Sequence, residues 1–314
     1  MVEIGEDSAG QRLDNFLAKT LKGAPKSFIY RIIRSGEVRV NKGRAAADTR
    51  LELDDRVRIP PISLEATEKG MPVVAASRAG QTLPVIFEDD DLLAIDKPAG
   101  IAVHGGSGLA FGVIEALRAA RPDARFLELV HRLDRETSGV LLLAKKRPVL
   151  VAMHAMLREG RTDKRYLALV NGVWPHESKF HIRTALSSFV TREGERRVVA
   201  SDEDDGAREA HSVVTVSRRF ADAPLLELAL KTGRTHQIRV HLAGQGHPIL
   251  GDAKYGDFAL NRSLTRAGLS RMFLHAARLS FIHPGSAERM RIEAPLPEAL
   301  RAFLSNLAPL GKSA

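Results

Sequence analysis

From Leu83 onward, apolar strand-like segments follow one another, several of them with no helix between. They read LPVIFEDD, DLLAIDKPAG, GVLLLAKK, KRYLALVNGVW and PLLELALK, each bounded by charged or turn-forming residues. A doubly wound parallel sheet needs a crossover helix between successive strands. That arrangement is therefore disfavoured, and the pattern points to an α+β fold: a mixed, largely antiparallel sheet flanked by helices. Helical spacing is expected at 111–120 (FGVIEALRAA), at 148–159 (PVLVAMHAMLRE), from Thr235, and near the C-terminus.

The amino-terminal stretch is organised differently. RLDNFLAKTLKG puts Leu13, Phe16 and Leu17 on one helical face and ends at Gly23. PKSFIYRIIRSG starts at Pro25 and stops at Gly36, with Phe28, Ile29, Ile32 and Ile33 at helical spacing and Lys26, Arg31 and Arg34 on the other side. EVRVNKGR alternates Val38 and Val40 with polar residues and turns at Asn41–Gly43, flanked by Lys42 and Arg44, and LDDRVRIP closes the unit as a strand. Between Arg12 and Arg58 there are 12 Lys/Arg against 6 Asp/Glu, a net +6 of the whole chain's +9. Such a concentration suits a polyanion better than a solvated face of alternating sign. Pro60–Pro61 then opens a stretch without periodicity. The expected organisation is a small domain over 1–60, a linker over 61–82 and a large domain over 83–314.

Composition narrows the chemistry. With no cysteine, disulfides, thiolate zinc sites, iron–sulfur clusters and cysteine nucleophiles are all excluded, which fits a reducing cytoplasm. No apolar run reaches the roughly 18–20 residues of a membrane span, and residues 1–20 lack the apolar core of a secretory signal. GGSGLA lacks the second flanking glycine of a nucleophile elbow, and there is no phosphate-binding loop or dinucleotide fingerprint. Among eleven histidines, His236 and His241 are five apart. That puts them on opposite faces of a strand or about 140° apart on a helix, the wrong geometry for a shared metal.

Three polar segments remain. HRLDRETSG (131–139) places Asp134 between Arg132 and Arg135, just ahead of an apolar strand. An adjacent arginine favours the ionised carboxylate, a usable nucleophile or electrostatic stabiliser; a turn cap or an ordinary ion pair reads equally well. KTGRTHQIRVHLAGQGHPILGD (231–252) offers Thr235 as the N-cap of a helix from His236, which sets Arg239 in its first turns facing inward, or alternatively as a helix-end cation with a surface partner. Alternation in KRYLALVNG puts Tyr166, Ala168 and Val170 on one sheet face, as a core tyrosine would also be.

Together these segments resemble the pseudouridine synthases of the RluA type. HRLDRETSGVLLLAK, DLLAIDKPAGIAVHGG and TGRTHQIRVH match that family's characteristic segments, and RLDNFLAKTLKGAPKSFIYRIIRSGEVRVNKGR resembles the S4 RNA-binding module. The likeness implies a pseudouridine synthase fold behind a small S4 domain, and an isomerase that needs neither cofactor nor metal. It implies Asp134 as the catalytic aspartate, nucleophile or base, paired with Arg239. Tyr166 would lie against the target base, Leu274 would wall the pocket opposite, and Arg132 would fill the gap left by the flipped base. Lys26, Arg31, Arg34, Lys42 and Arg44 would bind RNA. The implied partner is large-subunit ribosomal RNA or a ribosome assembly intermediate, met by a monomer with no membrane involved. A catalytically idle RNA-binding factor and a tRNA-directed enzyme are the rivals. HPILGDAKYG and GAREAHSVVTV depart locally from the family pattern and are expected to lie apart from the core motifs; TREGERRVVASDEDDG is expected to form an exposed hairpin.

Overall fold

The computed structural model describes residues 1–21, 26–60, 83–105, 112–191, 196–201, 206–221 and 223–307. The expected linker at 61–82 lies outside them, as do Gly23 and Pro25, the expected bounds of the first two helices. Two compact units are present, Met1–Ala76 and Ser77–Ala314.

In the first unit, α1 (Leu13–Thr20) and α2 (Lys26–Arg34) cover a small antiparallel sheet in the order β1 (Val2–Glu3), β3 (Arg56–Arg58), β2 (Arg39–Val40). Leu13, Leu17, Ile29, Ile32, Val38 and Val57 make its core, so the apolar spacing read from the sequence is the spacing that becomes buried. Two helices this short are marginal alone and are held by that shared core. Asp14 ties them together: it accepts both forks of Arg12 at 2.8 and 3.1 Å and the Tyr30 hydroxyl at 3.1 Å. After β2 the chain reverses through Asn41 (φ 49°) and Lys42 (φ 69°), closed by Gly43 N–H to Val40 O at 2.8 Å. Two successive left-handed residues are what a two-residue hairpin turn requires, and asparagine suits the first.

The second unit is built on one ten-stranded sheet. Its main path runs β4 (Val85–Glu88), β5 (Leu92–Lys97), β7 (Ser138–Ala144), β14 (Leu274–Ile282), β8 (Asp163–Leu169), β13 (Leu225–Leu230), β12 (His211–Arg218), β9 (Phe180–Arg183). β6 (Glu128–Leu129) pairs with β7, and β15 (Arg289–Glu293) with β14. Among the described strands only β7 and β14 run parallel; the other pairs are antiparallel. The fold is α+β, with the mixed, mostly antiparallel sheet expected from the strand order.

β7 shows why that sheet is so apolar at its centre. Leu141 and Leu143 join one core with α3 (Val113–Ala120) and α7 (Glu298–Ser305). Val140, Leu142 and Ala144 join a second core, on the opposite face, with α4 (Arg147–Arg158). A strand buried on both faces loses the polar alternation of a one-sided sheet. β10 (Leu186–Val190) and β11 (Arg196–Ala200) form a separate antiparallel hairpin; residues 192–195 and 202–205 of the expected exposed loop lie outside the described set. α5 (Gln237–Gly244) is buried on every side, and α6 (Phe258–Arg266) has no buried residue. No described helix is long and apolar enough to cross a membrane.

One local expectation is corrected. Thr235 is not the N-cap of α5. That place belongs to His236, which is left-handed (φ 54°, ψ 17°) and makes no side-chain cap. The Gln237 side chain instead ties down the turn before the helix, accepting from Arg234 N–H at 3.0 Å and from the Thr232 hydroxyl at 2.7 Å.

Candidate active site

A cavity of about 430 Å³ opens in the second unit, within the size range of small-ligand pockets. Asp134, Tyr166, Arg239, Arg132 and Leu274 all line it, although they come from four separate stretches of chain.

Asp134 sits on the loop between β6 and β7, and the residues around it are pinned. Thr137 N–H bonds the Asp134 carbonyl at 3.1 Å. The Arg135 carbonyl accepts from Gly100 N–H at 2.8 Å and from Lys97 Nζ at 3.1 Å, and Arg135 Nε returns a bond to Gly100 O at 3.0 Å. Lys97 is fully buried, and its ammonium also donates to Pro98 O and Ile101 O, both at 2.8 Å. Burial pulls that amine down to about 7, against the favourable pull of Glu136. On the other side, Arg271 Nη2 donates to the Ser138 hydroxyl at 2.8 Å and reaches the Glu136 carbonyl at 3.4 Å.

Arg239 stands on α5 with its Nη1 3.6 Å from Asp134 Oδ2. Its other two nitrogens form a fork with the fully buried Asp252, Nε to Oδ2 at 2.7 Å and Nη2 to Oδ1 at 2.8 Å. The guanidinium also lies 5.0 Å over the Tyr255 ring. Burial opposes its charge, but the bonds and charge of Asp252, then the charge of Asp134, outweigh that and raise its pKa. Asp252 is lowered in turn: burial works against it, and Arg239 with the Lys254 and Tyr255 N–H groups prevails. A bidentate fork fixes the plane of a guanidinium, so Asp252 decides how Arg239 meets Asp134.

Tyr166 lies on β8, opposite Ala276 of β14 and Leu228 of β13. Its hydroxyl makes no hydrogen bond among the described residues. Burial first, and then the Asp134 charge, push the phenol well above its usual range. Leu274, two positions before Ala276, is buried on the same cavity wall, while Arg132 stays exposed at the rim.

The remaining expected contacts lie in the first unit. Arg31 and Arg34 are exposed on α2, and Lys42 and Arg44 are exposed at the turn after β2. Arg44 reaches back to Gly36 at the end of α2, where a Cβ would stand 3.0 Å from its Nε. Lys26 opens α2, and its side chain lies outside the described ones.

Sequence reasoning passed over Asp252, Tyr255, His236, Lys97 and Arg271. HPILGDAKYG was expected to lie apart from the core motifs; it supplies Asp252 and Tyr255 directly to Arg239, so that expectation is corrected. Its visible signal was an acid directly after glycine: Gly251 is left-handed (φ 76°), and a Cβ there would fall 2.2 Å from Arg271 O. His236 and His241 do point to different partners, Tyr255 for the first, Ser212 and Thr184 for the second. Among the described residues no group of three or more His, Asp or Glu could hold a metal ion.

Comparison with known proteins bears on both units. A family model described as RNA pseudouridylate synthase matches residues 91–244, and an S4 domain model matches residues 11–57. Ribosomal large subunit pseudouridine synthase C of Escherichia coli (strain K12) is 52% identical over 310 residues, 98% of this chain and 96% of the relative. The protein of that name from Pasteurella multocida (strain Pm70) is 48% identical over 308 residues, 98% of this chain and 93% of the relative. Among solved structures, human RNA Pseudouridylate Synthase Domain Containing 1 superposes with a TM-score of 0.58 at 25% identity, over 73% of this chain and 89% of that one.

Proposed function

Since the chain belongs to the RNA pseudouridylate synthase family, a family of isomerases, we propose that it converts specific uridines of large-subunit ribosomal RNA to pseudouridine, with Asp134 starting the reaction and no cofactor taking part. The observation that carries this reading is the grip on Asp134: a carboxylate in a cavity, facing a guanidinium whose other nitrogens are already committed to Asp252.

Uridine and pseudouridine have the same composition. The C1′–N1 bond breaks, the uracil turns, and a C1′–C5 bond forms; C5 loses a proton and N1 gains one. Nothing is oxidised or reduced, so acid–base and nucleophilic side chains suffice. Asp134 begins the cleavage at the ribose, by attack on C1′ or by removal of the neighbouring ribose proton, and both routes need the ionised form. Arg239, with Nη1 3.6 Å from the carboxylate, orients it toward the ribose. Tyr166 packs against the base, and its hydroxyl takes part in the C5 proton transfer. Leu274, on the neighbouring strand β14, lines the cavity beside it.

A uridine inside folded RNA must first leave its stack, at a cost of a few kcal/mol. Arg132, exposed at the rim and planar, suits the gap left behind. Arg31, Arg34, Lys42 and Arg44, with Lys26, give the S4 unit a phosphate-facing surface, which offsets part of that cost through counterion release. The enzyme acts as a monomer in the cytoplasm, on free RNA or on an assembly intermediate.

The test is to incubate the full-length protein separately with unmodified large-subunit RNA and with unmodified tRNA, and to map pseudouridine at single-nucleotide resolution. Conversion of discrete uridines in the ribosomal RNA is expected. Conversion confined to tRNA would overturn the substrate, and RNA binding without any conversion would favour an idle binding factor.

A further inference from the structure

His236 lines the cavity that holds Asp134, and nothing above gives it work. Its backbone is left-handed although it is not glycine (φ 54°). Such a conformation costs on the order of 1–3 kcal/mol and persists only where the surroundings hold it. Here the side chain is held. Nδ1 lies 2.8 Å from the Tyr255 hydroxyl, with the rings edge to face at 5.5 Å.

That contact fixes a tautomer. The Tyr255 oxygen already accepts from Val198 N–H at 3.1 Å, across from the β10–β11 hairpin. Its own proton has one acceptor among the described residues, His236 Nδ1. The phenol therefore donates, Nδ1 carries a lone pair, and the ring proton sits on Nε2. Burial keeps the imidazole neutral by bringing it down to about 4, against the upward pull of Asp134 and with Arg239 and Lys254 adding to the descent. Nε2 makes no hydrogen bond among the described residues and is reached by solvent from the cavity.

We propose that His236 Nε2–H donates a hydrogen bond to a carbonyl oxygen of the bound uracil. This deepens the uridine-isomerase reading and rests on it. When the C1′–N1 bond breaks, the electron pair goes to the uracil, and negative charge spreads onto its carbonyl oxygens. A neutral N–H stabilises that charge with no proton transferred; the proton exchange at C5 and N1 belongs to later steps. An imidazolium in this place would compete with Arg239 for Asp134. Neutrality and the fixed tautomer are thus what the role demands, and Tyr255 is the positioning residue that supplies the tautomer.

Two variants separate the donor from the strained backbone. Asparagine tolerates the left-handed region well but does not reach the Nε2 position, whereas the amide of glutamine does. In single-turnover reactions on a ribosomal RNA substrate, His236→Asn is expected to be about 100-fold slower with RNA affinity unchanged, the scale of losing one donor to a developing oxyanion. His236→Gln should recover most of that rate. Long-range nitrogen–proton spectra of histidine-labelled free protein should show Nε2–H with a bare Nδ1, and a mixture of tautomers in Tyr255→Phe. His236→Asn turning over at the wild-type rate would overturn the proposal while leaving the isomerase reading intact, and so would an Nδ1–H ring in the wild type. A wild type that converts no uridine would instead take down the isomerase reading itself, and this inference with it.

Discussion

Asp252 carries no atom of the proposed reaction, yet it sets the direction in which Arg239 points. Its fork occupies two guanidinium nitrogens at 2.7 and 2.8 Å, and the third is left at 3.6 Å from Asp134. Asp252 is fully buried, so removing it strands a cation in the core. Breaking a buried pair from one side costs about 3–5 kcal/mol, and Asp252→Ala should lose that much in urea unfolding. Asp134→Asn should lose far less, because that contact is longer and Arg239 keeps its fork. Equal losses in the two variants would mean that the two acids share the guanidinium evenly. Arg239 was legible in the sequence because TGRTHQIRVH is a recognisable motif. Asp252 was not, since an acid thirteen residues downstream meets its partner only through the turn at Gly251, which no helix or strand periodicity announces.

β7 organises the catalytic unit at the scale of elements. It is the strand that leads out of the Asp134 loop, and it enters the sheet where the one parallel pair forms, with Ser138 and Gly139 beside His275 and Ala276. Gly139 is left-handed (φ 113°), and a Cβ there would fall 2.2 Å from Ala276 O. Gly139→Ala should therefore destabilise the protein by about 3 kcal/mol or more, as a backbone clash that no rotamer relieves. A melting curve within about a degree of wild type would refute this. β7 is also braced by neutral histidines: Leu142 N–H donates to His131 Nε2 at 3.2 Å, and the Ser138 hydroxyl bonds His275 Nδ1 at 2.9 Å, while His275 Nε2 donates to Ala294 O at 3.1 Å. Burial brings both rings down to about 4. The unfolded chain takes up these protons near 6.5 and the folded protein only near 4, so stability is complete above 6.5 and falls as pH drops through that window. Each ring contributes a slope of up to about 1.4 kcal/mol per pH unit. The half-buried Asp96, whose carboxyl is pushed up by its partial burial, works in the opposite sense. A urea midpoint that stays flat from pH 7 to 4.5 would contradict the assignment. Strands such as β5, β7 and β13 were readable as apolar runs, and the α+β class followed from their order. α6 escaped notice because it buries no residue, and its start is marked only by Asp257, whose carboxylate accepts Ala259 and Leu260 N–H at 2.8 and 2.9 Å.

At the scale of the whole molecule, the proposed function gives RNA binding to the basic amino-terminal unit and the chemistry to the second unit. The stretch from Arg12 to Arg58 carries a net +6 of the chain's +9. A protein lacking residues 1–60 should bind large-subunit RNA more weakly and lose affinity less steeply with salt, since each lost phosphate contact removes roughly 0.7–0.9 from the logarithmic slope. Its rate at saturating RNA should be close to that of the full chain. An unchanged salt slope would remove the S4 unit from the binding surface. Whether Asp134 starts the reaction is tested most directly by tritium release from large-subunit RNA labelled at uridine C5, comparing the full-length protein with Asp134→Asn. Release by the wild type, and none by Asp134→Asn at matched RNA occupancy, is the predicted result. Equal release by both proteins would show that the carboxylate of Asp134 does not start the reaction.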